Sequence, residues 1–99
     1  MEFSGFQWDR GNRDKSRLKH GVTTAEAEQC FFNDPMVAVD AKHSTGAETR
    51  FILLGETHGD RKLFIAFAMR GPLVRVIGAR PMQEKERGYY EEQRQKTGH

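Results

Sequence analysis

Apolar residues come along this chain in short bursts divided by polar turns, and the spacing inside each burst separates strand from helix. Phe3 to Trp8 is aromatic-rich, with Phe6 and Trp8 on one face at period two, and predicts a short first strand. A polar helix is expected from Arg10 to His20, with Asp9 as N-cap and Gly21 where a left-handed cap residue is wanted. Leu18 is its only strongly apolar residue, so tertiary contact must hold it. Thr23 and Glu26 have capping-box spacing for a second helix. Ala27, Cys30 and Phe31 form its core-facing stripe, and Asn33-Asp34-Pro35 stops it.

The remaining pattern reads as strands and one terminal helix. Met36 to Asp40 is a short apolar strand, and Arg50 to Glu56 alternates Phe51 and Leu53 against Arg50, Ile52 and Leu54. Lys62 to Met69 is apolar on both faces, as a central strand is. Leu73 to Ala79 returns after the Gly71-Pro72 turn, and short connections make these strands antiparallel neighbours. Beyond Gln83 there is no Ile, Leu, Val or Phe, so the last helix must pack through Met82, Tyr89 and Tyr90. Residues 93–99 are expected to form a frayed tail. The predicted fold is α+β, in the order β-α-α-β-β-β-β-α, with helices against one face of an antiparallel sheet.

At 99 residues the chain supports one domain and one modest core, with 36% hydrophobic and 30% charged residues. Sixteen Lys and Arg against 14 Asp and Glu give a net charge of +2 and a pI near 8.9. That balance permits nucleic-acid binding without arguing for it; clustering of the cations would matter more. The single Cys30 forms no intramolecular disulfide, and no run approaches the ~20 apolar residues that span a bilayer. A cytoplasmic protein is expected. His43 and His58 lack a third ligand at metal-site spacing, so no metal and no other cofactor is expected.

One stretch concentrates the chemistry. Leu73 to Ile77 is an apolar strand interrupted by Arg75, Gly78-Ala79-Arg80 leads into Pro81, and Glu86, Arg87, Tyr89, Tyr90 and Glu91 follow. Cations at one end of a sheet, beside a helix of carboxylates and phenols, suit a phosphodiester. Arg75 and Arg80 have opposite parity in an unbroken strand and converge only if Gly78 marks a bulge or the strand ends there.

Ordered signatures then run through most of the chain, roughly from Phe6 to Glu92. They are Trp8-Asp9, Lys19-His20-Gly21-Val22, Phe32 with Asp34-Pro35, Glu48 with Arg50-Phe51 and Gly55, and Arg75, Ile77, Ala79, Arg80, Glu86, Arg87, Tyr90 and Glu91. By their order and spacing the chain resembles the BrnT toxins of bacterial type II toxin–antitoxin systems, whose fold is similar to that of the RelE-type ribonucleases. It departs from that pattern at Asn12, Ser16, Thr24, Gly78 and Pro81-Met82.

The resemblance implies metal-independent endoribonucleolytic cleavage of RNA that leaves a 2′,3′-cyclic phosphate and inhibits translation and growth. It also implies neutralisation by a cognate antitoxin with a ribbon-helix-helix DNA-binding domain. Two chains of each would assemble, and operator DNA would be met only through the antitoxin; no membrane is involved. Such cleavage needs a base, cations on the phosphate and an acid for the leaving oxygen. Arg50, Arg75 and Arg80 are the cation candidates, because a guanidinium grips two phosphate oxygens at once. Glu48 or His20 is the candidate base, and His20 or Tyr90 the candidate acid; histidine as a residue type titrates near neutrality. Lys19 and Arg87 are the candidates for further RNA contact. The residues also permit another reading, a module of the same fold that binds RNA or a partner without cutting, or an inactive paralogue.

Overall fold

The computed structural model describes residues 2–96, and in them a five-stranded sheet carries three helices. The elements are β1 (Gly5–Phe6), α1 (Lys15–His20), α2 (Thr24–Cys30), β2 (Met36–Val39), β3 (Arg50–Glu56), β4 (Lys62–Arg70), β5 (Leu73–Pro81) and α3 (Glu84–Lys96). This is the expected α+β class and the expected element order. In space the strands run β1-β5-β4-β3-β2. β2 to β5 pair antiparallel, whereas β1, remote in sequence, joins the outer edge of β5 in parallel.

Cross-strand partners share a face of the sheet, so the register sorts the side chains. Leu53, Ile65 and Ala79 form one row across β3, β4 and β5, and Phe67 with Val76 lies in the next. With Val22, Ala27, Cys30 and Phe31 they make the main core, where the Phe31 and Phe67 rings meet edge to face at 5.0 Å. Burial pushes the Cys30 thiol up to about 12, which leaves it inert. Leu54 pairs with Phe64 on the opposite face and makes a smaller core with Met36, Met82 and Tyr90.

The helices therefore do not share one face, which corrects the sequence-based expectation. α2 covers the main core, α3 lies on the other face, and α1 runs along the outer edge of β5. The reason lies in β4: apolar on both sides, it needs cover on both, and Leu54 and Phe64 offer Tyr90 and Met82 a surface to bury against.

The edge explains why α1 is shorter than expected. Past β1, β5 has unpaired backbone groups, and these must find partners. Asn12, almost fully buried, donates its amide to the carbonyls of Val76 (2.9 Å) and Gln7 (3.0 Å). Its side-chain oxygen accepts from the Asp9 N–H at 2.8 Å. Ser16 Oγ accepts from the Ala79 N–H at 2.9 Å. Residues 10–14 are drawn to the sheet as turns, so helix begins at Lys15, and Asp9, whose carboxylate accepts from the Gly11 N–H at 2.8 Å, does not cap it. Leu18 is 75% exposed, so α1 is held by polar edge contacts. Gly21 does adopt the left-handed cap, at φ 67°, and both halves of the Thr23–Glu26 capping box are present.

β5 carries the irregularity that positions the site. Ala66 opposes Gly78 while Phe67 opposes Val76, which leaves Ile77 as the extra residue of a β-bulge. Arg75 then pairs with Ala68 and Arg80 with Phe64, residues an even number apart on β4. Both arginines consequently project from the α3 face. At the C-terminus α3 stays helical through Lys96, where a frayed tail from 93 was expected; Lys96 pairs with Glu92 at 3.3 Å, and Arg94 donates to the Tyr90 hydroxyl at 3.1 Å. The rest of the expected tail, 97–99, lies outside the described residues.

Candidate active site

Where α1 meets β5 a cleft of about 180 Å³ opens. Lys15, Ser16, Lys19 and His20 line one wall, because positions i, i+1, i+4 and i+5 share a side of a helix. Phe64, Ala66, Gly78, Ala79 and Arg80 form the floor and the opposite wall. Two lysines, a histidine and an arginine thus line one cleft, and among the described residues no carboxylate lines it.

Arg80 is fixed in three ways. Its guanidinium stacks over the Phe64 ring, 4.0 Å from the centroid. Both terminal nitrogens donate to Glu86, each at 2.8 Å, in the fork geometry that fixes a guanidinium most firmly. Nη1 also donates to the Pro81 carbonyl at 3.1 Å. The hydrogen bonds from Arg80 hold the Glu86 carboxyl below the usual carboxylate range. Glu86 also accepts from the Gln83 N–H at 2.8 Å, so one carboxylate starts α3 and aims Arg80.

His20 is held through its backbone. It ends α1, and its carbonyl accepts from Arg61 Nη2 at 3.2 Å, while Arg61 Nη1 reaches the Gly21 carbonyl at 2.9 Å. Nη1 also lies 3.2 Å from both carboxylate oxygens of Glu26. Arg61 thereby ties the end of α1, the start of α2 and the start of β4 together.

Of the residues expected from sequence, the cleft brings together Lys19, His20 and Arg80. Glu48, Arg50 and Arg75 lie elsewhere on the same sheet face. Arg50 and Arg75 flank Ala68, whereas Arg80 flanks Phe64, so Arg75 and Arg80 are roughly 13 Å apart at ~3.3 Å per residue. Glu48 accepts from Arg50 Nε (2.9 Å) and Arg70 Nε (3.0 Å), and the hydrogen bond from Arg50, aided by Arg70, holds its carboxyl below the usual range. Arg75 is engaged by Asp9 at 2.7 and 3.1 Å and by Gln7 at 3.0 Å. Tyr90 is fully buried under α3, and burial pushes its hydroxyl up to about 12. Arg87 is exposed on α3, and Glu91 pairs with Lys62 at 3.2 Å.

Sequence reasoning passed over Lys15 and Arg61. Lys15 had a signal, its helical spacing from Lys19; Arg61 had none, since the carbonyls it binds lie 40 and 41 positions away.

A cationic, histidine-bearing cleft at a sheet edge is chemically suited to a phosphodiester. The chain matches, over residues 8–86, the family described as ribonuclease toxin, BrnT, of type II toxin-antitoxin system. It belongs to that family: a ribonuclease toxin whose target is RNA and whose partner is a protein antitoxin. No curated protein matches it. Among the described residues no helix is long and apolar enough to cross a membrane.

Proposed function

We propose that the cleft between α1 and β5 cuts RNA by intramolecular attack, without a metal. The observation that carries this reading is the convergence of His20 with Lys15, Lys19 and Arg80 around one small cleft. His20 takes the proton of the 2′-hydroxyl, the 2′-oxygen attacks phosphorus, and the bond from phosphorus to the 5′-oxygen breaks. The departing 5′-oxygen takes a proton from the ammonium of Lys15 or Lys19, and a 2′,3′-cyclic phosphate remains. Arg80, aimed by Glu86 and Phe64, meets the negative charge that grows on the phosphoryl oxygens. Fixed cations thus supply the electrostatic stabilisation that a bound metal would otherwise give.

This assignment gives His20, Arg80 and Lys19 the chemistry at the scissile phosphate, with Lys15 added. Glu48 already accepts from two arginines and Tyr90 is buried, so neither serves as base or acid here. Arg87, exposed on α3, remains available to bind RNA at the rim. The protein would act in the cytoplasm, where its cutting inhibits translation and growth. Family resemblance further supports a fold of the RelE type. It likewise supports a ribbon-helix-helix antitoxin that pairs with the toxin two to two and alone touches operator DNA.

The test is cleavage by antitoxin-free protein in excess EDTA. Wild type is expected to cut RNA, and His20→Gln and Arg80→Ala to lose about 10²–10⁴-fold in rate while keeping their circular dichroism spectra. Cleavage that appears only with added Mg²⁺, or that survives both substitutions, would refute the assignment.

A further inference from the structure

We infer that the sheet face beside the cleft is the bed of a single-stranded RNA, with a second phosphate subsite at Arg50 and Arg75. This rests on the reading of the cleft as the cutting site. Three rows cross that face: Arg50, Ala68 and Arg75; then Ile52, Ala66 and Gly78; then Leu54, Phe64 and Arg80. The bulge at Ile77 puts Arg75 and Arg80 on the same side. Roughly 13 Å separates the outer rows at ~3.3 Å per residue, too far for one phosphate to touch both. Arg50 and Arg75 therefore bind a flanking phosphate rather than the one being cut.

The arginines at the far end are built for this. Arg50 commits only Nε to Glu48, and among the described residues its two terminal nitrogens have no partner. Its side chain is 35% exposed and Glu48 holds it in place, so a phosphate meets a pre-aimed fork. Arg75 is 17% exposed and held by Asp9, a carboxylate that is itself 53% exposed and open to exchange. Across the sheet the two arginines stand on strands either side of β4, about 10 Å apart by strand spacing, within reach of one phosphate between them.

Between the two ends the floor is low. Ala66 carries a methyl group and Gly78 none, and a Cβ built at Gly78 meets nothing within 4 Å. A larger residue there would stand in the path from one cation group to the other. Cationic ends and a smooth, narrow middle fit a polyanionic strand.

Binding of two fluorescent single-stranded RNAs, a dinucleotide and one of about eight nucleotides, to the full chain bearing His20→Gln tests the bed. Adding Arg50→Ala with Arg75→Ala is expected to weaken the longer RNA about 10-fold or more, and to lower its log–log salt slope by about 0.7, at ~0.7 per lost phosphate. The dinucleotide is expected to bind as before. Arg50→Ala alone, at a residue outside the cleft that commits only Nε to Glu48, should keep the melting temperature and weaken the longer RNA alone. It gives the test a second arm should the double arginine variant fold poorly. Equal loss for both lengths would make the arginines part of the cutting site, and no loss for the longer RNA would remove the bed; either overturns the inference. Failure of wild type to cut RNA would instead sink the reading of the cleft, since binding is measured without cleavage.

Discussion

Arg80 shows how a single side chain is prepared for an anion. Phe64 supports its face and Glu86 takes both terminal nitrogens, so little rotamer freedom is left to lose when substrate binds. Glu86 has a depressed pKa in the folded protein. The pair's stabilisation is therefore fully present above the ordinary glutamate value of 4.5 and is lost as pH falls through the lower folded value. Glu86→Gln should lower the melting temperature near neutral pH by roughly 4–8 °C, for about 1 kcal/mol. It should also flatten the fall of melting temperature with acid. Thermal melts from about pH 7 to pH 3 decide it; equal acid sensitivity in the two proteins would show that the pair contributes nothing.

At the scale of elements, the elbow between α1 and α2 places His20. Gly21 allows the turn, the Thr23–Glu26 box starts α2, and Arg61 binds both ends of the elbow. Arg61→Ala should leave the sheet intact yet lower the cleavage rate about 10–10²-fold, since small misplacement of a reacting group is costly. If Arg61 acts through His20, adding Arg61→Ala to His20→Gln should cost little more. A full, additive loss in single-turnover rates would count against the elbow's role.

These same elements mark where local sequence rules hold and where they stop. Gly21 and the capping box were legible because their partners lie within one turn. The start of α1 was not, because Asn12 leaves the helix to satisfy Val76, 64 residues away. Gly78 signalled a bulge, but the register assigns the extra residue to Ile77.

Across the whole molecule, the two-faced sheet organises both core and chemistry. That β4 was apolar on both sides could be read directly and marked it as a central strand, although helices were expected on one face only. Which helix covered which face could not, since that turns on where Tyr90 and Met82 bury and on a one-residue slip in β5. The candidate site was half legible: Lys19, His20 and Arg80 meet, while Glu48, Arg50 and Arg75 share their face at a distance and Tyr90 supports α3 from beneath. The central claim is that His20 and its neighbouring cations let the RNA's own 2′-oxygen do the cutting. Mass spectrometry of the fragments made in EDTA tests it most directly: 2′,3′-cyclic phosphate on the upstream fragment and 5′-hydroxyl on the downstream one are predicted, whereas 3′-hydroxyl and 5′-phosphate ends would contradict it.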